Sequence, residues 1–208
     1  MQRLERSALA LGFPWTPARV TEALNQQERA LREALGARGH YPRRYKARLE
    51  LDRAGEILCE AVALRAAPAH RRLTILLSDQ ATRSNDPLLF HKTTHRPLYE
   101  AAHQRALRHG HVDAIFLNER GEITEGAIST LFVQRQDRLL TPPVACGLLP
   151  GVYRQWVLDT NPKASEAILR TADLRTADAI YICNAVRGWR AVTLAPGRPF
   201  TEEDEARR

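Results

Sequence analysis

The 208-residue sequence contains no run that approaches the about 20 consecutive apolar residues needed to cross a membrane. Its first segment, MQRLERSALALGF, carries Glu5 and lacks the continuous apolar core of a secretory signal. The sequence therefore predicts neither a membrane span nor a secretory signal, and a cytoplasmic location is expected.

Cysteine is scarce, and its spacing is not that of a metal site. Cys59, Cys146 and Cys183 form no CxxC pair and no Cys/His ligand spacing. We expect all three to be small, buried apolar residues in a reducing compartment. No metal is predicted.

A clustered basic surface is also lacking, although the net charge is +7 and the pI is about 9.8. The arginines are spread along the whole chain, usually near Glu or Asp, and no basic block alternates with aromatic residues. Nucleic acid and membrane are therefore not expected as partners. A small anionic ligand remains compatible with this charge.

Lysine is the rarest of the basic residues, with Lys46, Lys92 and Lys163 against 28 arginines. Lys92 lies in LLFHKTTHRPLYEAA, between a short apolar run and the start of a predicted helix. Arginine stays protonated, whereas a lysine amine can lose its proton and act as a nucleophile. Lys92 is therefore either an ordinary surface residue or a reactive group, and its sequence context has to decide between the two.

The apolar periodicity predicts two α+β lobes, at residues 1–67 and 71–208, joined within residues 65–72. In the small lobe we expect helices at 3–12 and 16–36, then a hairpin that turns at DRAG. In the large lobe we expect the strand LTILLSD, a helix from Pro97 to Gly110, a hairpin turning at NERG, the strand RLLTP, a helix from Gly151 and a final alternating region. The strands are predicted to form hairpins and no βαβ units.

A reactive lysine requires a carbonyl partner, and the commonest resident one is pyridoxal phosphate. That cofactor needs a polar partner for its ring nitrogen, for which GEITEGAISTLFV offers Glu125. Its phosphate needs an anion site, for which a helix start at Val152 and Tyr153 and a strand end at Asn184 are candidates. Each signal is weak alone, since a Glu beside a turn is usually solvated and Asn184 is equally a turn residue.

In order and spacing, these pieces resemble the class IV pyridoxal-phosphate enzymes, which include D-amino-acid and branched-chain aminotransferases and aminodeoxychorismate lyase. The resemblance lies in Lys92, in TEGAISTLFV with Glu125, in Thr141 and in LPGVYR ending at Arg154. DPLLFHKTTHRPLYEAA, NERGEITEG, TPPVACGLLPG and NAVRGW are most similar to the lyase branch. The resemblance extends over nearly the whole chain.

This resemblance implies a fold-type-IV homodimer in which Lys92 forms the Schiff base with the cofactor and Glu125 faces the pyridine nitrogen. By the same resemblance Arg3, in RLERSALALGF, binds the phosphate. The backbone positions of Val152 and Tyr153, and Asn184 with Ala185, also bind it. Arg53, in the turn LDRAG, lies near where relatives place an arginine for the substrate carboxylate.

The sequence departs from the family pattern at two places. Thr130 stands where relatives usually have Asn, and the strands that precede the first helix in relatives are missing before Arg3. We therefore expect an N-terminally truncated small lobe. Restoring an upstream segment is expected to tighten cofactor binding.

The expected activity is conversion of 4-amino-4-deoxychorismate, a small amino substrate, to 4-aminobenzoate and pyruvate, a step of folate biosynthesis. Two alternatives remain open. One is a class IV aminotransferase acting on a D-amino acid or a branched-chain amino acid, because fold and cofactor site are shared. The other is a truncated homologue without catalytic activity that binds a partner.

Overall fold

The computed structural model describes residues 1–36, 44–64 and 72–196 of the chain. The chain divides into two compact units, Met1–His70 and Arg71–Arg208. The predicted junction at residues 65–72 lies outside the described residues, apart from Arg72. Within the described ranges no helix combines the length and apolarity needed to cross a bilayer. The same ranges contain no group of His, Cys, Asp or Glu that could hold a metal ion.

The first unit contains two helices and one hairpin: α1 (Gln2–Ala10), α2 (Pro17–Gly36), β1 (Tyr45–Leu51) and β2 (Ile57–Ala63). Pro17 begins α2, where its missing N–H costs no helical hydrogen bond. β1 and β2 pair antiparallel from Tyr45↔Ala63 to Leu51↔Ile57. Asp52 fixes the turn between them by accepting the backbone amides of Ala54 and Glu56 at 2.9 and 2.8 Å. The predicted hairpin is confirmed.

The second unit is built on one mixed sheet of eight strands. Its elements are β3 (Thr74–Thr82), α3 (Pro97–Arg108), β4 (Asp113–Asn118), β5 (Ile123–Gly126), β6 (Thr130–Arg135), β7 (Arg138–Thr141), α4 (Val152–Thr160), β8 (Ala164–Glu166), α5 (Thr171–Arg175), β9 (Ala179–Asn184) and β10 (Gly188–Leu194), with 3₁₀ turns at Pro87–Phe90 and Val144–Cys146. The strand order is β5-β4-β3-β10-β9-β6-β7-β8. The predicted α+β class is confirmed.

The prediction that the strands form only hairpins was wrong. β3 and β4 pair in parallel and α3 connects them, and β10 also lies parallel to β3. Parallel neighbours need a long crossover connection, and the loop with α3 provides one between β3 and β4. The final region also contains the short helix α5 as well as strands. Asp173 caps that helix by accepting the backbone amide of Arg170 at 2.7 Å.

Apolar residues cover both faces of this sheet. One face buries Ile75, Ile115, Leu131 and Ile182 in the largest core cluster. α3 covers part of the other face through the cluster containing Leu76, Tyr99, Ala102, Ala106, Ala114, Phe116 and Ala127. Of the three free cysteines, Cys146 and Cys183 are buried as expected, whereas Cys59 is only half-buried because it lies on a two-stranded hairpin.

Candidate functional site

Lys92 lies in the loop between the 3₁₀ turn Pro87–Phe90 and α3. Asp86 begins that turn and accepts the backbone amide of Leu88 at 2.9 Å, which fixes the start of the loop. Lys92 is exposed, and its charge favours the ionised form of the Glu125 carboxyl. The Lys92 charge thus acts on the Glu125 carboxyl, more weakly than the charge of Arg96 does.

Glu125 is a buried carboxyl beside the start of α3. It lies on β5, a strand whose four residues are all buried, and its side chain is 5% exposed. Its Oε1 atom has no hydrogen-bond partner among the described residues, and Arg96 Nη2 lies 3.8 Å away. Burial raises the pKa of Glu125 from 4.5 to about 7, opposed chiefly by the positive charge of Arg96. A glutamate beside a turn is usually solvated, whereas Glu125 is buried.

A tight loop after Glu125 holds this carboxyl in place. The Gly126 amide donates to the Ser129 carbonyl at 2.8 Å, and the Ser129 hydroxyl donates to the buried Asp113 carboxylate. A Cβ atom at Gly126 would lie 2.6 Å from Ser129 Oγ and still closer to Asp113. A side chain at position 126 would therefore have to displace the Asp113 and Ser129 side chains, which favours glycine there.

The first turn of α4 lies against β6, close to this loop. Gly151 precedes the helix, and a Cβ atom there would lie 3.0 Å from the Thr130 hydroxyl. The first backbone N–H groups of a helix have no partner within it, so those of Val152 and Tyr153 are available to an anion. Thr130 therefore lies against the start of the predicted phosphate-binding helix.

Asn184 ends β9 and connects the same loop to the turn that follows. Its Nδ2 donates to the Ile128 carbonyl at 3.2 Å, and its Oδ1 accepts the amides of Val186 and Arg187 at 3.0 and 2.8 Å. The side chain thus shapes the turn in which the exposed Ala185 lies. Asn184 thus stabilises the turn that places the Ala185 backbone at the end of a strand. This geometry is compatible both with a role as a turn residue and with the predicted phosphate site.

Arg3 and Arg53 belong to the first unit. Arg3 is half-buried on α1. Arg53 is exposed in the turn between β1 and β2, with its guanidinium 5.2 Å from the centre of the Phe13 ring. Their roles remain predictions from the resemblance.

Sequence reasoning missed the residues that surround Glu125. Arg96 and Tyr99 reach it from the first turn of α3, while Asp113 and Ser129 brace the loop behind it. The only available signal was the spacing of Arg96 and Tyr99, three residues apart at a helix start and therefore on one face. Their proximity to Glu125 depends on how α3 packs on the sheet.

The raised pKa of Glu125 predicts a pH-dependent stability of the chain without cofactor. Between about pH 4.5 and 7 the folded state retains a proton that the unfolded state has lost, so the free energy of unfolding falls as pH rises. Above pH 7 this loss is complete and on the order of 3 kcal/mol. Urea unfolding of wild type and Glu125→Gln across this range measures it.

We expect wild type to lose stability relative to Glu125→Gln as pH rises through this window. Glu100→Gln, which changes an exposed glutamate in the first turn of α3, serves as the matched control and should keep the wild-type pH slope. Parallel curves for wild type and Glu125→Gln would contradict the prediction.

Comparison with known proteins adds family evidence to this geometry. The family model for class IV amino-transferases matches residues 1–195. A Schizosaccharomyces pombe protein provisionally assigned as an aminodeoxychorismate lyase is 24% identical over 191 residues, which are 90% of this chain and 78% of that protein. Other curated relatives align over 26% to 35% of their own lengths.

Solved structures show the same fold. A Mesorhizobium loti protein provisionally assigned as an amino-acid aminotransferase superimposes with a TM-score of 0.80 at 35% identity, over 93% of this chain and 89% of that one. The pyridoxal-phosphate-bound form of a hypothetical aminotransferase from Mycobacterium tuberculosis has a TM-score of 0.75 at 23% identity. That match covers 99% of this chain and 78% of the other.

Proposed function

The chain belongs to the class IV aminotransferase family, whose members depend on pyridoxal phosphate, and we propose that it is the lyase that converts 4-amino-4-deoxychorismate to 4-aminobenzoate and pyruvate. The observation that carries the proposal is the buried Glu125 carboxyl within electrostatic reach of Lys92. The motifs around these residues are most similar to those of the lyase branch. The Schizosaccharomyces pombe relative, which matches 90% of the chain, supports the same reaction.

The residues of the second unit fit the proposed cofactor. A pyridine nitrogen needs one carboxylate oxygen, and Glu125 Oε1 is buried without a hydrogen-bond partner among the described residues. Glu125 would hold the ring nitrogen and Lys92 the carbonyl carbon. Backbone amides of Val152, Tyr153 and Ala185, with the turn built by Asn184, would hold the phosphate.

Pyridoxal phosphate, when bound, supplies an electron-accepting ring that stabilises negative charge on the substrate carbon bearing the amine. Lys92 has two tasks in the proposed reaction. Its amine would bind the cofactor carbonyl and, once free again, would take the proton from the amine-bearing carbon. Cleavage of the bond between the neighbouring ring carbon and the ether oxygen would then release the side chain as an enolate, which takes up one proton at carbon to become pyruvate, and the ring would become aromatic.

Glu125 in its ionised form would face the ring nitrogen from β5, the strand that ends at Gly126. The two products together contain all the atoms of the substrate, so the lyase reaction consumes no second substrate. An aminotransferase, by contrast, must consume a 2-oxo acid. This difference in stoichiometry separates the two activities that share the fold.

The test incubates the purified full chain with pyridoxal phosphate and 4-amino-4-deoxychorismate in the absence of any 2-oxo acid. We expect many turnovers per chain, with 4-aminobenzoate, followed by fluorescence, and pyruvate, followed by a coupled dehydrogenase, released in equal amounts. Borohydride reduction before digestion should add the mass of the reduced cofactor to the peptide that contains Lys92.

A class IV aminotransferase is the second candidate, favoured by the 35% identity to the Mesorhizobium loti protein. It predicts no pyruvate release without an oxo acid, and transfer from a D-amino acid or a branched-chain amino acid when 2-oxoglutarate is added. A chain that takes up cofactor mass at Lys92 and catalyses neither reaction would be a non-catalytic homologue. Sedimentation of the cofactor-loaded chain tests the proposed homodimer.

A further inference from the structure

Arg96 occupies a fixed position at the start of α3. Pro97 begins the helix, and the Arg96 carbonyl accepts the first helical hydrogen bond, from the Glu100 amide at 2.9 Å. The Arg96 side chain is 17% exposed, and its guanidinium carbon lies 4.3 Å from the centre of the Tyr99 ring. At that distance the cation is attracted to the face of the ring.

Tyr99 gives this cation a rigid support. The residue is 5% exposed, and its ring centre lies 4.5 Å from that of Phe116 on β4. Burial raises the pKa of Tyr99, and the nearby Glu125 carboxylate raises it further, so the phenol remains neutral. The ring therefore fixes the guanidinium in position and adds no negative charge of its own.

Among the described residues, the groups that most favour the ionised form of Glu125 are Arg96, the Leu149 backbone amide, the Tyr99 hydroxyl and Lys92, in decreasing order of effect. Only Arg96 and Lys92 carry a positive charge. In the proposed function the Lys92 amine must be neutral when it acts as a nucleophile and when it acts as a base. Arginine stays protonated throughout, so Arg96 is the one facing cation whose charge does not change during the reaction.

We propose that Arg96 is a positioning residue whose guanidinium, held on the Tyr99 ring 3.8 Å from Glu125 Oε1, favours the ionised form of that buried carboxyl while the Lys92 amine is neutral. The proposal rests on the proposed function for the role of Lys92. It accounts for an arginine on a buried aromatic ring beside a carboxyl that makes no hydrogen bond through Oε1 to the described residues.

The test measures the ionisation of Glu125 directly. The full chain is labelled with ¹³C at the glutamate carboxyls, freed of cofactor and titrated by NMR, and the Glu125 signal is the one that Glu125→Gln removes. Loss of an opposite charge within about 4–6 Å favours the neutral form, so Arg96→Gln should raise the midpoint by about one unit or more. Arg96→Lys keeps a positive charge, so it should return the Glu125 midpoint most of the way to the wild-type value.

Arg108→Gln is the matched control, because it removes an exposed arginine from the other end of α3, and its midpoint should equal that of wild type. In the loaded enzyme, the acidic limb of the pH profile of kcat/KM should move upward with Arg96→Gln by the same amount. Far-UV circular dichroism establishes that each variant is folded.

An unchanged Glu125 midpoint in Arg96→Gln, or a midpoint in Arg96→Lys equal to that of Arg96→Gln, would overturn the proposal. The titration contains neither cofactor nor substrate, so its result does not depend on which reaction the chain catalyses. Conversely, an unchanged Glu125 midpoint would overturn the role of Arg96 without contradicting the proposed function, which the product assay and the borohydride labelling of Lys92 test separately.

Discussion

Lys92→Arg should lower turnover by at least roughly 1,000-fold while the fold is retained, and Lys92→Ala should do the same. Arginine keeps the positive charge that acts on Glu125, but its guanidinium stays protonated and cannot serve as nucleophile or base. This single substitution therefore keeps the positive charge at position 92 and removes the ability of the side chain to act as a nucleophile or a base. Product release at saturating pyridoxal phosphate measures the loss, and borohydride reduction should no longer attach the cofactor to position 92.

Lys163→Arg is the matched control for this experiment. Lys163 is 62% exposed and pairs with Asp137 at 4.0 Å, an interaction that arginine can also make. Its variant should retain wild-type activity and the cofactor mass at Lys92. Normal turnover of Lys92→Arg would mean that Lys92 is an ordinary surface lysine, and the proposed function would fail with it.

The motif residues could be proposed as a candidate site from the sequence because their signals are local. The rarity of lysine pointed to Lys92, and TEG directly after a turn pointed to Glu125. The hairpins at DRAG and NERG followed from alternation and turn residues. Such features depend on residues that are near each other in the chain, so a single sequence contains them.

Burial and electrostatics at the site could not be predicted in the same way. The burial of Glu125 depends on β5 joining β4 at the edge of a sheet, and the position of Arg96 depends on α3 packing over that sheet. The parallel pairing of β3 with β10 joins distant parts of the chain, which left the hairpin interpretation of the final region incomplete. No local sequence pattern shows which of these distant segments lie beside each other in the folded chain.

Glu125→Gln should slow the reaction by roughly 100- to 1,000-fold and leave the cofactor bound. Glutamine has nearly the same shape and can occupy the same position on β5, but it lacks the negative charge that keeps the ring nitrogen protonated. Cofactor retention depends instead on the phosphate, which the proposal assigns to backbone amides at Val152, Tyr153 and Ala185. Cofactor content is measured by absorbance after dialysis, and kcat at saturating pyridoxal phosphate.

The pH dependence of activity also distinguishes the role of Glu125 from the role of Arg96. Arg96→Gln leaves the carboxyl in place and moves only the pH at which it ionises, so its activity should recover as pH rises above the new midpoint of Glu125. Glu125→Gln has no carboxyl to ionise, so raising the pH should not restore its activity. Loss of cofactor with normal turnover in the remaining loaded enzyme would show that Glu125 serves binding, because a residue needed for the chemistry must slow every molecule that still holds the cofactor.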